Sequence, residues 1–273
     1  MKSIVLSQWL LTALVLAANH KANAQGLPKT QPNLITIFQE DVKVGRGPEH
    51  AKHEAGFPAA YEKSKSPYYY LAMTSVTGHS QAWYISPWES HAAIGESMKR
   101  EDSDPVLSAE LARLGRLDAE YINSFRIVQA AARTDLSFGA FPDLNKTRFF
   151  EITTFRIRPG HEPQFDEAAK VYAAAAKRVA PKTSYRIYDV MAGMPAPTII
   201  IISSVEKYAD FDQTLADGKA IWKGFTPDEM GVMQKFATEG LISEESNRFR
   251  LDPGQSYVSK ETRAQNPEFW NPK

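Results

Sequence analysis

Two stretches of sequence decide the fold: ITIFQEDVKV at residues 35–44 and FFEITTFRIR at residues 149–158. Both are rich in β-branched and aromatic residues, which is typical of β-strands. Each leads into a break of glycine and proline and then a glutamate, Glu49 in the first case and Glu162 in the second. Similar elements follow both stretches, so the sequence predicts an internal duplication.

A helix is predicted after each opening strand. In the second half, residues 163–180 place apolar side chains at helical spacing. In the first half, residues 48–63 are interrupted by Pro58, which cannot donate a hydrogen bond to the carbonyl of Glu54. We therefore expect a kink or two short helices there.

Each helix is followed by a strand pair, further helices and a last strand. The strand pairs are residues 68–77 with 82–86 and residues 184–191 with 198–204, and glycine-containing turns separate their members. This order is that of the split βαβ, ferredoxin-like unit. The predicted fold class is α+β, with two tandem ferredoxin-like βαββαβ units that pair as an intramolecular α/β barrel.

The pattern divides the chain into six segments. They are a signal peptide at residues 1–24, an N-terminal linker at 25–33, the first unit at 34–133, a linker at 134–147, the second unit at 148–252 and a C-terminal tail at 253–273.

The N-terminus has the pattern of a cleaved secretory signal. Lys2 precedes an apolar run at residues 4–18, and Ala22-Asn23-Ala24 is a small-x-small cleavage pattern. The run is shorter than the ~20 apolar residues that span a bilayer. We expect an exported protein, periplasmic or extracellular, without a membrane partner after cleavage; an uncleaved anchor is the alternative.

Charge and cysteine content exclude several classes. The chain has 32 basic and 32 acidic residues and no cysteine. Without a basic excess there is little electrostatic means of holding a polyphosphate, so nucleic acid is not an expected partner. The absence of cysteine excludes disulfides, thiolate metal sites and cysteine nucleophiles.

The paired units resemble the dimeric α/β-barrel superfamily, which includes antibiotic-biosynthesis-type monooxygenases and NIPSNAP-like proteins. The resemblance covers about residues 34–251 at the level of element order. More closely, the chain is similar to a group of exported bacterial proteins in which YLAMTS, here at 70–75, and YVSKE, here at 257–261, recur. The resemblance implies the barrel fold.

The two halves differ in side chains that could carry chemistry. The first half has Trp83, Tyr84, Trp88 and His91, whereas the second has four isoleucines at residues 199–202. We therefore predict that a site lies in the first half. The alternative is that the tryptophans pack in the core or at its rim and that His91 is exposed.

The resemblance also implies a chemistry for these residues. In superfamily members that degrade haem, a tryptophan and a histidine act with an asparagine. Trp83 or Trp88 with His91 would take similar places here, whereas the first strand offers Gln39 and no asparagine.

Two tyrosines complete the predicted ligand-binding set. Tyr68 and Tyr70 alternate with Tyr69 and so face one side of a strand. We expect that side to line the barrel interior and present a phenol to a ligand; packing under a helix is the alternative.

His50, His53 and Glu54 share one helix face at spacings of three and four. Imidazole plus carboxylate is a workable zinc or iron set, but a metal needs at least one more ligand, and the order matches neither HExxH nor HxxEH. We therefore predict no metal site and a solvated first turn of the helix.

Three functions fit these observations. The first is a secreted protein that binds a small apolar or aromatic ligand between its two sheets. The second is a cofactor-independent or haem-degrading monooxygenase with His91 as the catalytic proton relay. The third is a non-catalytic scaffold that forms homo-oligomers through its aromatic tail. The sequence requires no cofactor, and haem is compatible with the second function.

Overall fold

A computed structural model describes residues 26–271, in which eight strands form a closed barrel. The strands are β1 (Leu34–Val42), β2 (Tyr70–Ser75), β3 (Gln81–Trp88), β4 (Ile122–Ala132), β5 (Phe149–Ile157), β6 (Arg186–Ala192), β7 (Thr198–Val205) and β8 (Leu241–Tyr257). The predicted signal peptide at residues 1–24 lies outside the described residues.

Helices cover the outside of the barrel, and two short C-terminal helices lie at one of its ends. In chain order the helices are α1 (Gly47–Glu54), α2 (Gly56–Ser64), α3 (His91–Ser103), α4 (Pro105–Asp118), α5 (Glu162–Val179), α6 (Phe211–Lys223), α7 (Pro227–Lys235), α8 (Lys260–Gln265) and α9 (Pro267–Trp270). A 3₁₀ turn (Tyr208–Asp210) precedes α6, and a π-helical turn (Phe236–Gly240) joins α7 to β8.

The strands pair in the order β1-β3-β2-β8-β5-β7-β6-β4, and each neighbouring pair is antiparallel. Within each half the strands have the same spatial order, which is β4-β1-β3-β2 in the first half and β8-β5-β7-β6 in the second. The halves join through β2–β8 and β4–β6, so every strand has two neighbours. The predicted α+β class and closed barrel are confirmed.

The barrel interior is filled with apolar side chains, to which all eight strands contribute. Side chains alternate between the interior and the helix layer along each strand, because successive residues of a strand point to opposite faces. Ile37, Val128 and Phe249 point inward and have no exposed surface. The outward-facing side chains of the strands pack against the helices and form separate clusters.

The C-terminal tail closes one end of the barrel. Val258 and Trp270 are 2% and 4% exposed and pack against the interior core, as does Leu144 from the segment between the halves. The guanidinium of Arg148 lies 3.6 Å from the ring centroid of Phe269, which holds the tail against the start of β5. The tail is thus part of the core.

The helical segment after β1 breaks in two, as predicted from Pro58. α1 ends at Glu54 and α2 begins at Gly56. A Cβ atom at Gly56 would lie 2.8 Å from Cδ2 of Leu114, so the glycine allows α2 to pack closely against α4. This contact brings α4 over the outside of the first half.

No helix in residues 26–271 combines the length and apolar character needed to cross a membrane.

The burial of Trp270 predicts that the C-terminal tail contributes to the stability of the fold. Trp270→Ala should lower the free energy of unfolding by about 3–5 kcal/mol, because it removes a large buried side chain from the barrel end. Trp222, which is 49% exposed, gives the matched control, and Trp222→Ala should cost about 0.5 kcal/mol or less. Chemical denaturation measures both. Equal effects of the two substitutions would contradict the role of the tail.

Candidate functional site

Four ionisable side chains meet between the barrel and the helices of the first half: Glu40, His50, Glu54 and Asp118. Each offers one nitrogen or oxygen atom, and these atoms all lie within 4.8 Å of one another. The four residues are only 2% to 4% exposed. Nε2 of His50 lies 2.9 Å from Oε2 of Glu40 and 3.6 Å from Oδ1 of Asp118. We call this set the acidic cluster.

Helix α1 supplies two of the four side chains. His50 and Glu54 are four residues apart and therefore lie on one helix face, which is turned toward the barrel. Both are buried, so the predicted solvated turn is wrong. Nε2 of His53 is 3.0 Å from the backbone carbonyl of Leu114, so this histidine is directed toward α4 and stands apart from the cluster.

The other two side chains come from elements distant in sequence. Glu40 lies on the outward face of β1, and Asp118 is the last residue of α4. Nζ of Lys43 donates to the carbonyls of Ala119 and Glu120, both at 3.1 Å, and so ties the end of α4 to the end of β1. These hydrogen bonds hold the Asp118 turn close to Glu40.

The cluster buries three carboxyl groups close to one another. Burial is the main cause that raises the pKa of Glu40 to about 9, and the charge of Asp118 adds to it. Burial, then Glu40 and Asp118, likewise raises the pKa of Glu54 to about 9. Oε1 of Glu54 and Oδ1 of Asp118 are buried without a hydrogen-bond partner among the described residues. Without a cation, the carboxyls of Glu40 and Glu54 therefore hold protons near neutral pH.

A polar shell surrounds one side of the cluster. The hydroxyl of Tyr84 lies beside the carboxyls of Glu40 and Glu54. This hydroxyl donates to Oε1 of Gln255 at 3.0 Å, and Nε2 of Gln255 donates to Oδ2 of Asp252 at 2.8 Å. The chain of hydrogen bonds fixes the orientation of Tyr84.

The second half has an apolar cluster at the corresponding place. The β-bulges at Val42 in β1 and Ile157 in β5 align the two halves. In this alignment Phe155 corresponds to Glu40 and Phe165 to His50. Phe155 and Phe165 pack on Phe236, which lies near the end of the helical segment before β8. Asp118 has the equivalent place in the first half, at the end of the helix before β4.

This internal comparison shows that the fold does not need the acidic cluster. The ring centroids of Phe155, Phe165 and Phe236 are 5.6 to 6.4 Å apart, which is ordinary aromatic core packing. Burying several carboxyls instead costs free energy unless they are protonated or paired. The first half carries this cost at a position where the second half packs phenylalanine.

Sequence reasoning found part of the cluster. It grouped His50 with Glu54, but it missed Glu40 and Asp118. A signal for Glu40 was present, because aligning the two opening strands places a glutamate opposite Phe155. For Asp118 no local signal exists, since it lies far from the other three in sequence and ends an ordinary amphipathic helix.

The predicted site residues lie elsewhere. Trp83 points into the barrel and packs on Phe249 at 4.8 Å between ring centroids. Trp88 and Tyr68 contact each other at 5.5 Å. His91 is exposed at the first position of α3. The structure therefore does not bring His91 and Trp83 together, and the side chains around Trp83 occupy the space where a ligand was expected.

Tyr70 is the one predicted residue near the cluster. It lies on the outward face of β2, under α2, and its ring is 6.0 Å from that of Tyr84. The expectation that Tyr70 lines the barrel interior is wrong, because Leu71 and Met73 take the inward positions of this strand.

Comparisons with known proteins bear on the fold. No protein-family model matches the chain, and no curated protein matches it. Among solved structures, a proposed monooxygenase from Fusobacterium nucleatum has a TM-score of 0.55 at 8% identity and covers 81% of this chain and 93% of its own. An anthrone oxidase-like protein has a TM-score of 0.53 at 11% identity, with 86% and 98% coverage.

A proposed monooxygenase from Lactobacillus acidophilus has a TM-score of 0.50 at 7% identity and covers 84% of this chain and all of its own. The chain shares its closed α+β barrel architecture with these structures. At these identities the likeness extends to the architecture alone, and the acidic cluster has to be interpreted from its own chemistry.

The raised pKa values predict how the metal-free protein responds to pH. In the unfolded chain a glutamate titrates near ~4.3. Between that pH and about 9 the folded state binds more protons than the unfolded state, so stability falls as pH rises through this window. The melting temperature in the presence of a chelator should therefore decrease from about pH 5 to about pH 9.

Glu40→Gln should make this decrease shallower, because a neutral amide replaces one titrating group. Glu49→Gln, on the exposed side of the same region, is the matched control and should leave the slope unchanged. A melting temperature that is flat or rises over this range in the unsubstituted protein would show that the carboxyls are ionised.

Proposed function

We propose that the protein binds one transition-metal ion in the acidic cluster. The observation that carries this proposal is the convergence of four buried ligand atoms within 4.8 Å. In the same residues, Oε1 of Glu54 and Oδ1 of Asp118 have no hydrogen-bond partner within the described part of the chain. A cation would take the place of the protons that the carboxyls otherwise need, and metal binding would then release protons. This proposal replaces our expectation of no metal site.

The ligand chemistry indicates which ions are suitable. Calcium and magnesium are bound by oxygen ligands, whereas His50 adds an imidazole nitrogen. Thiolates are excluded because the chain has no cysteine. One imidazole with three carboxylates suits Mn(II) and Fe(II), and Zn(II) is the competitor without redox chemistry.

The charge of the ligand set favours a redox-active ion. Three carboxylates and a neutral imidazole carry three negative charges, so a divalent ion leaves the site with one negative charge and a trivalent ion leaves it neutral. Because the site is buried, the neutral arrangement is favoured by the low local dielectric. The cluster would therefore stabilise the oxidised form of iron or manganese.

If the protein is a monooxygenase, the acidic cluster is a better candidate for its active site than His91, which is exposed. The fold is compatible with a monooxygenase, since two similar structures are described as proposed monooxygenases and one as anthrone oxidase-like. A buried iron or manganese ion would supply oxygen chemistry at the acidic cluster. Binding of a small ligand between the sheets is less well supported, because the interior positions hold packed side chains.

Metal binding is directly testable. The purified full chain, dialysed against Mn(II), Fe(II) or Zn(II) in turn, should retain about one ion per chain by elemental analysis, as one four-ligand set implies. Glu40→Gln, His50→Ala, Glu54→Gln and Asp118→Asn should each weaken binding at least about tenfold, since even loss of a residue that only orients a ligand costs ~10–100-fold.

His53→Gln is the matched control, because His53 lies on the same helix but is directed toward Leu114. His91→Ala should also retain the ion. Full metal content in all four cluster variants, or none in the unsubstituted chain, would overturn the proposal.

The remaining sequence-based expectations stand as proposals. We infer that the two halves are tandem ferredoxin-like units, which the repeated strand order supports. Kinship with NIPSNAP-like and exported bacterial proteins, and homo-oligomer formation, rest on the sequence patterns alone.

We further propose export with cleavage after residue 24. Expressed in a bacterial host, the mature protein should have an N-terminus near Gln25 and be recovered from the periplasm or medium. N-terminal sequencing of that fraction measures this. A chain that retains residues 1–24 in the membrane fraction would instead show an uncleaved anchor.

A further inference from the structure

Five tyrosine rings form a continuous path away from the acidic cluster. The ring centroids of Tyr84 and Tyr70 are 6.0 Å apart, and those of Tyr70 and Tyr61 are also 6.0 Å apart. Tyr61 stacks on Tyr257 at 5.7 Å, and Tyr257 lies 4.9 Å from Tyr69. The path begins at the hydroxyl beside Glu40 and Glu54 and ends at the partly exposed Tyr69.

Tyr61 has what a tyrosine needs in order to be oxidised. A phenol that loses an electron becomes strongly acidic and must pass its proton to a nearby base. The hydroxyl of Tyr61 donates to Oε1 of Glu101 at 3.4 Å. Burial raises the pKa of Glu101, which makes its carboxylate a better proton acceptor.

The second half again provides the comparison. Tyr172 and Tyr185 form a ring pair at 5.9 Å, with Tyr185 at the position that corresponds to Tyr70. The hydroxyl of Tyr185 is buried and has no hydrogen-bond partner among the described residues. This pair lies beside the phenylalanine cluster, so it has neither a ligand set nor a carboxylate bonded to the phenol of Tyr185.

We propose that Tyr84, Tyr70 and Tyr61 form a relay that carries single electrons to the metal centre, with Tyr61 as the tyrosine that is oxidised. This inference rests on the proposed metal site. It gives the protein a further activity, the reduction of peroxide at a centre that larger substrates cannot reach because its ligands are 2% to 4% exposed.

The reaction balances with hydrogen peroxide as oxidant. The O–O bond breaks and takes up two electrons, one from Fe(II), which becomes Fe(III), and one from Tyr61 through Tyr70 and Tyr84. The phenolic proton of Tyr61 moves to Glu101, and two protons from solvent complete two water molecules. A reductant in solution, such as ascorbate, then supplies two equivalents: a hydrogen atom returns the Tyr61 radical to the phenol, and an electron returns Fe(III) to Fe(II). Glu101 releases its proton to solvent, which restores the starting state.

The test uses the full chain loaded with Fe(II) without oxygen and then mixed with one equivalent of hydrogen peroxide. Freeze-quench electron paramagnetic resonance should show a tyrosyl radical, identified by the change in its hyperfine structure when the protein contains ring-deuterated tyrosine. Tyr61→Phe and Tyr70→Phe should bind iron normally and lose this signal. Glu101→Gln should reduce it, because the phenol then lacks a base.

Tyr172→Phe and Tyr185→Phe are the matched controls and should retain the radical. Iron binding without a radical, or a radical unchanged in Tyr61→Phe and Tyr70→Phe, would overturn the relay and leave the metal site standing. Failure to bind iron would overturn both. Elemental analysis of each sample before mixing distinguishes these outcomes.

Discussion

The pairing of β2 with β8 and of β4 with β6 is the constraint on which the rest of the structure depends. These two ladders close the half-sheets into one barrel, in which each of the eight strands has two neighbours. Closure makes the inward faces a single core, filled by side chains such as Ile37 and Phe249 and capped by Trp270. The acidic cluster lies outside this core, where strands meet helices.

The acidic cluster occupies that outer layer at a free-energy cost that the fold does not require. In the second half, Phe155 and Phe165 fill the corresponding positions with ordinary apolar packing. A duplicated fold thus contains its own control: the same backbone is built once with a phenylalanine core and once with buried carboxyls. We propose that a ligand of the carboxyls accounts for the difference, since a metal ion would satisfy their charge and their unpaired oxygens together.

The surroundings of the cluster extend this argument from binding to reactivity. A ligand set with three carboxylates favours a trivalent ion, and the adjacent Tyr84 begins a row of phenols that reaches the surface. Buried metal ions that only stabilise a fold need no such row. Because the ligands are buried, bulky molecules cannot reach them, and the row of phenols offers a path for electrons. Both features favour small oxidants as reactants, which the fold alone does not specify.

The sequence by itself determined the order of elements and the break at Pro58, because hydrophobic periodicity and proline act locally. It also placed His50 and Glu54 on one helix face. Only the tertiary structure decided which face of each strand the helices cover. For this reason the burial of Glu40 could not be predicted from the sequence. Asp118 joins the cluster through the packing of α4 on the barrel, a contact that no local pattern encodes.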